Sequence, residues 1–207
     1  MVNLRKTGRL FSSLGLVSVV GLASAGVLPL KADEVDSAPT AEVDAPANAP
    51  TDSVEPGLEG FQTYVLPRAF SLQIPEGWVA SGSASDRYAV ITNYAPRDRV
   101  GAPQAGDIKT EVRFVSQPPE TFVDQSIGEI VANQYEVSYF RATVVDDLPA
   151  LRLWMTDLPL EYPNQVVTYV GYASYGTAVI TSHYVDATPE TDALIQQIHN
   201  TFTLVFQ

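Results

Sequence analysis

The stretch Val166-Val167-Thr168-Tyr169-Val170-Gly171-Tyr172-Ala173-Ser174, then Tyr175-Gly176, then Thr177-Ala178-Val179-Ile180-Thr181-Ser182-His183-Tyr184-Val185, decides the fold. Both long runs are dense in Val, Ile, Thr and Tyr, the residues that fit a pleated, half-buried surface. Tyr175-Gly176 interrupts them where a chain reversal needs a glycine, so the pair reads as a β-hairpin. Upstream, Arg141 to Asp146 and Ala150 to Thr156 flank Asp147-Leu148-Pro149 and predict a second hairpin. Three earlier strands are predicted at Phe70 to Ile74, Tyr88 to Tyr94 and Lys109 to Ser116, the first by its strict apolar–polar alternation. That strand stops at Pro75-Glu76-Gly77, a tight turn, and Trp78 restarts the chain.

Two helices interrupt the strands. Val123, Ile127, Ile130 and Val131 form one apolar stripe at helical spacing, predicting a helix that ends near Tyr135. Thr121 with Asp124 suits its start, and Pro118-Pro119 should stop it from extending backward. The last helix begins at Thr188-Pro189, an N-cap followed by a proline at the first helical position, with Glu190 and Asp192 at the positive dipole end. Leu194, Ile195, Ile198 and Phe202 form its buried stripe, and Thr203 to Phe206 suit a short edge strand. Strands joined by hairpins with two inserted helices give an α+β class: a single antiparallel sheet flanked by helices, not a parallel βαβ pattern.

The N-terminal third has a different character. Arg5, Lys6 and Arg9 precede an apolar run from Leu10 to Leu30, with Ala23-Ser24-Ala25 in the A-x-A pattern of a signal-peptidase site. Residues 1–32 therefore read as a cleaved export signal, with cleavage marked by Ala23 and Ala25. Residues 33–59 carry eight acids and no base in an Ala/Pro-rich tract, the composition of a disordered linker. Residues 60–207 form the folded domain. Sixteen acids and eight bases remain there, with Lys109 as its lone lysine. A chain this acidic repels nucleic acid, so no nucleic-acid partner is expected. No cysteine is present. Disulfide partners, thiolate metal sites, cysteine nucleophiles and a lipoprotein anchor are thereby excluded.

No catalytic motif stands out. There is no G-x-S-x-G elbow, no phosphate-cradling glycine loop and no H-E-x-x-H spacing. His183, with Asp186 three residues on, is read as a surface strand residue, and His199 as a favourable cation near a helix C-terminus. Asp146-Asp147 invite calcium, or manganese, but read first as solvated turn residues. No catalytic, metal or cofactor residue is assigned. The partner-binding candidates are Arg97 and Arg99, the closest pair of bases in the domain, and Tyr172 and Tyr175. The last two belong to a cluster with Tyr169 and Tyr184 in the final hairpin. Arginine suits an acidic protein surface and tyrosine an interface, but both also suit a solvated loop or a strand core.

Phe70-Ser71-Leu72-Gln73-Ile74-Pro75-Glu76-Gly77-Trp78 resembles the opening strand, Pro-x-Gly-Trp turn and tryptophan of the PsbP-like family of the photosynthetic membrane. The hairpin from Thr143 to Trp154 and the run from Thr177 to Phe202 are similar to that family as well. The resemblance implies an α/β/α sandwich and a non-enzymatic accessory role in the thylakoid lumen or periplasm. The partner it implies is a membrane complex such as photosystem II. A small-ligand or cation-binding module is the alternative expectation.

Overall fold

The computed structural model describes residues 58–96 and 101–205. The stretch read as an export signal with Ala23 and Ala25, the stretch read as a linker up to residue 57, and Arg97 and Arg99 lie outside the described residues. No helix among the described residues is long and apolar enough to cross a membrane.

The order is β1 (Phe61–Leu66), β2 (Phe70–Pro75), β3 (Val79–Ser83), β4 (Tyr88–Thr92), β5 (Ile108–Val115), α1 (Pro119–Ala132), β6 (Val137–Val145), β7 (Leu148–Met155), β8 (Asn164–Gly171), β9 (Thr177–Tyr184), α2 (Pro189–Asn200) and β10 (Thr203–Leu204). The expected single layer is in fact two antiparallel sheets. Seven strands run β3-β4-β5-β9-β8-β7-β6, and a separate three-stranded sheet runs β1-β2-β10. The small sheet exists because β2 pairs with β1 on one side and with the C-terminal β10 on the other, through Ser71↔Thr203 and Phe70↔Leu204. The turn after β2 forms as read: Gly77 has φ 81° and Trp78 N–H donates to the Pro75 carbonyl at 3.2 Å.

One face of the large sheet packs on α2 and the small sheet. Phe70, Leu72, Ile91, Val112, Ile180, Ile198 and Phe202 meet there, all essentially inaccessible. Burying a side chain of this size stabilises the fold by roughly 1.5–3 kcal/mol. The other face carries α1, with Phe122, Val123 and Ile130 against Leu153, Val167 and Tyr169. The large sheet thus lies between two unlike covers.

Three expectations change. The hairpin turn is Asp146-Asp147, not Asp147-Leu148-Pro149. Both aspartates have left-handed φ (55° and 57°), and Val145 faces Leu148. A two-residue loop of this kind matches the twist of its strands, and aspartate tolerates the conformation. Helix α1 starts at Pro119 with Pro118 as an N-cap that makes no side-chain bond, so Thr121 caps nothing. Proline at the first helical position lacks only an N–H that would be unpaired anyway. The α1 stripe is also not buried: Ile127 is 40% and Val131 69% exposed. The helix rests on Phe122 and Ile130, with Arg113 stacked at 5.4 Å on the Phe122 ring, so one flank of the stripe points away from its support.

Helix α2 follows its reading closely. The Thr188 hydroxyl accepts from Thr191 N–H at 3.2 Å, and Ile195 and Ile198 are fully buried. His199 does not follow. It is wholly buried rather than placed at a solvated helix end. Its ring bridges Thr168 Oγ1 (2.8 Å, at Nδ1) and Ser182 Oγ (2.9 Å, at Nε2).

Candidate functional site

Beside the final hairpin the chain leaves an apolar groove of about 840 Å³. Its walls are the first turn of α1 (Pro119, Val123), β7 (Pro149, Leu151), and the Tyr172–Tyr175 turn after β8. Gly171 sets its width. A Cβ there would stand 3.1 Å from Pro119 Cγ, so any other residue would push the helix start outward by a few tenths of an ångström. Tyr169 lines the same groove and lies with its ring centre 6.1 Å from Phe122.

The tyrosine candidates divide. Tyr172 is buried: its hydroxyl donates to Asp146 Oδ2 at 2.6 Å and its ring meets Phe114 edge-on at 5.9 Å. Burial, and then the Asp146 carboxylate, raise its phenol well above the ordinary range. It is a fixed wall. Tyr175 at the turn is 74% exposed. Tyr184 is buried on the α2 side, its phenol pushed up to about 12 by burial and then by Asp192. The structure thus brings Tyr169, Tyr172 and Tyr175 together and sets Tyr184 apart.

Asp146 is committed inside this turn. Its Oδ2 accepts from Tyr172 and from Leu204 N–H at 3.2 Å. Among the described residues no group of three or more His, Asp or Glu side chains is placed to hold a metal ion.

His183 is half-buried rather than on an open surface, across the strand pair from Lys109. Desolvation lowers its pKa, Glu111 opposes that, and Lys109 adds to it. Lys109 Nζ lies 2.7 Å from Glu111 Oε1. Burial disfavours the Glu111 carboxylate, but the Lys109 hydrogen bond and charge outweigh it and hold the carboxyl below its usual range. Asp186, three residues on, instead accepts from Gly106 N–H at 2.7 Å.

Sequence reasoning missed Pro119, Pro149 and Leu151 as groove residues. The available signal was the α1 stripe itself, which is wider than the chain's own core needs. The groove carries one ionisable side chain besides its tyrosines, Glu120 at the helix start. Its chemistry is that of apolar burial, the usual character of a binding pocket.

No protein-family model matches this chain. No curated protein matches it in sequence. Among solved structures it is similar to the solution structure of cyanobacterial PsbP (CyanoP) from Synechocystis sp. PCC 6803, at 15% identity and TM-score 0.48, over 75% of this chain and 97% of that one. It is also similar to PA94 from Pseudomonas aeruginosa, a protein of unknown function described as a putative regulator. That match has 14% identity and TM-score 0.42, over 71% of this chain and 97% of that one.

Proposed function

We propose that this chain is an exported, non-catalytic accessory protein that holds a protein partner by taking apolar side chains of that partner into the groove between α1 and the Tyr172–Tyr175 turn. The groove carries the reading: it is open, apolar and rimmed by the exposed Tyr175. Aromatic residues around a desolvated pocket are the usual anchors of protein association. The export-signal pattern of residues 1–32 and the PsbP-like Pro75-x-Gly77-Trp78 turn favour a partner on the lumenal or periplasmic side of a membrane, photosystem II among them.

A photo-crosslinking residue at position 175, introduced in the producing cell, tests this. Crosslinks to a subunit of a membrane complex are expected, and Val123→Glu should abolish them by placing a charge inside the groove. Crosslinks that survive Val123→Glu, or none to any membrane subunit, overturn the reading. A second reading rests on the groove's volume, which falls in the range of small-molecule pockets. Co-purification of a small apolar compound, lost in the same variant, would favour it.

A further inference from the structure

Among the described residues strand β6 ends the large sheet and pairs only with β7. Natural edge strands are guarded by charge, proline, shortness or a covering element. This one is nine residues long and carries a single charged residue, Arg141. Tyr139, Phe140 and Val144 are 56%, 66% and 64% exposed.

The pairing fixes which backbone groups are open. In a two-residue hairpin of this type the residues flanking the loop, Val145 and Leu148, form a hydrogen-bonded pair. Alternation then turns Thr143 and Arg141 toward β7. The N–H and C=O groups of Val144, Ala142 and Phe140 face the free edge, and their side chains share one face of the sheet.

The opposite face of the same strand has an unsolved charge. Arg141 stands directly across from Arg152. Like charges so placed destabilise a sheet. Arg152 is fully buried; its Nε donates to Thr168 Oγ1 at 2.7 Å and its Nη2 to Asn200 Oδ1 at 2.8 Å. Among the described residues its Nη1 has no partner. Arg141 donates to Gln196 and lies over the Trp154 ring at 5.6 Å. Among the described residues no ion pair joins either guanidinium to a carboxylate. Asp192 is near, but its carboxylate is engaged by Trp154 Nε1 and Gln196 Nε2. Burial, and then the Arg141 charge, bring the Arg152 pKa down to about 10. Asp192 opposes this in part, but in an otherwise acidic domain two arginines stand side by side with only neutral amides and a hydroxyl hydrogen-bonded to them.

We infer that β6 is a docking edge for an extended, acidic segment of a partner protein, which adds as an antiparallel strand along Phe140–Val144 and sets a carboxylate against Arg141, offsetting the like charge of the buried Arg152 behind it. The rows define the segment's pattern. A carboxylate falls opposite Arg141, and its two sequence neighbours, on the other face, are apolar and lie opposite Phe140 and Ala142. Main-chain bonds supply the attachment and the alternate side chains the selectivity, as in other strand additions. A second copy of this chain fits worse. The register that pairs Phe140 with Val144 of the other copy gathers four guanidinium groups and supplies no acid. This inference deepens the partner-binding reading but occupies a different surface from the groove.

The test is NMR titration of the isotope-labelled full chain with a capped peptide of alternating valine and glutamate, and with the same peptide carrying glutamine for glutamate. The acidic peptide should shift the amides of Phe140, Ala142 and Val144 and bind at least ~10-fold more tightly than the neutral one, the size expected when a charge-assisted bond replaces a neutral one. Arg141→Gln should erase that preference. Ala142→Pro should abolish both, because it removes an edge-facing N–H without breaking the β6–β7 ladder. Unchanged α2 amides and thermal melting confirm that this variant folds. Equal binding of the two peptides, or no shift at millimolar peptide, overturns the inference. So do edge shifts that depend on protein concentration alone, the mark of a second copy. Shifts confined to Gly171, Ala173 and Tyr175 overturn it too, yet leave the groove reading standing.

Discussion

The two helices cover opposite faces of one sheet and do so in opposite ways. Helix α2 sinks Ile195, Ile198 and His199 completely, whereas α1 buries no residue at all. Their starts differ in the same sense: Thr188 caps α2 with its side chain, and Pro118 leaves α1 uncapped. The lesson concerns division of labour. The α2 face spends its apolar surface on holding the chain together. The α1 face keeps part of its own in reserve, in the groove and along the exposed flank of Ile127 and Val131. The groove proposed for a partner is part of this unspent apolar area.

The comparison breaks first if equal truncations on the two helices cost the same. Ile198→Ala empties a fully buried position and is expected to lower stability by about 2–5 kcal/mol. Ile127→Ala removes the same atoms from a 40% exposed position and is expected to cost under ~1 kcal/mol. Urea unfolding of both variants checks this, and comparable midpoints would show that α1 is as structural as α2.

The next effect lies in the polar seam beneath α2. Arg152 Nε donates to Thr168 Oγ1, so the Thr168 hydroxyl hydrogen is free for His199 Nδ1. His199 Nε2–H then donates to Ser182 Oγ, whose own hydrogen reaches Thr110 Oγ1 at 2.7 Å. Every link suits a neutral imidazole protonated at Nε2. Thr168→Val keeps the shape but strands a guanidinium N–H and a ring nitrogen together, and should cost about 2–4 kcal/mol. Under α1 the Ser126 hydroxyl bonds the single phenol of Tyr169 rather than a buried guanidinium–imidazole chain. Ser126→Ala should therefore cost less, about 0.5–1.5 kcal/mol.

The same seam sets a pH dependence. Burial, and then the Arg152 charge, hold the His199 pKa well below its ordinary value. The unfolded chain protonates this histidine near pH 6.5 while the folded chain does not, so unfolding takes up a proton. Above pH 6.5 the group contributes no slope. Below it, stability should fall by up to about 1.4 kcal/mol per pH unit until the folded pKa is reached. The difference between this protein and His199→Gln, followed by unfolding between pH 7.5 and 5, isolates the effect. A difference independent of pH would mean that folding leaves the His199 pKa unshifted, and a difference that grows above pH 6.5 instead would mean that the imidazole is charged in the fold.

Legibility in the sequence followed the same divide. Strands β2, β5, β8 and β9 and helix α2 were readable because a one-sided apolar pattern and their burial coincide. Strand β3 was not, since Val79-Ala80-Ser81-Gly82-Ser83 has no apolar period; it pairs with β4 because Gly82 admits the Tyr64 hydroxyl and the Tyr88 carbonyl. Strand β1 was hidden for a related reason: Phe61 to Leu66 buries only its last residue, and its register comes from β2. His199 was misread because its neighbours Gln196, Gln197 and Asn200 look like a solvated helix end; only tertiary packing brings Thr168 and Ser182 to its ring. At the site, the tyrosines of the last hairpin were visible. The helix wall opposite them was not, because Pro119 read as a stop when it is the groove's edge.

The smallest effect concerns how the helices begin. Thr188→Ala removes the hydroxyl that accepts from Thr191 N–H and should cost about 1 kcal/mol, with the loss concentrated in the first turn of α2. Thr121→Ala, at the residue that looked like the α1 cap, should cost nothing and bring a gain of up to ~0.5 kcal/mol. Thr121 is exposed inside the helix, where alanine is the better former. Chemical denaturation resolves the two if both are measured in one background. Should Thr121→Ala prove the costlier change, α1 would start three residues later than Pro119. The groove wall that Pro119 forms would then be lost, and the contrast between a sealed face and an open one would have to be drawn elsewhere.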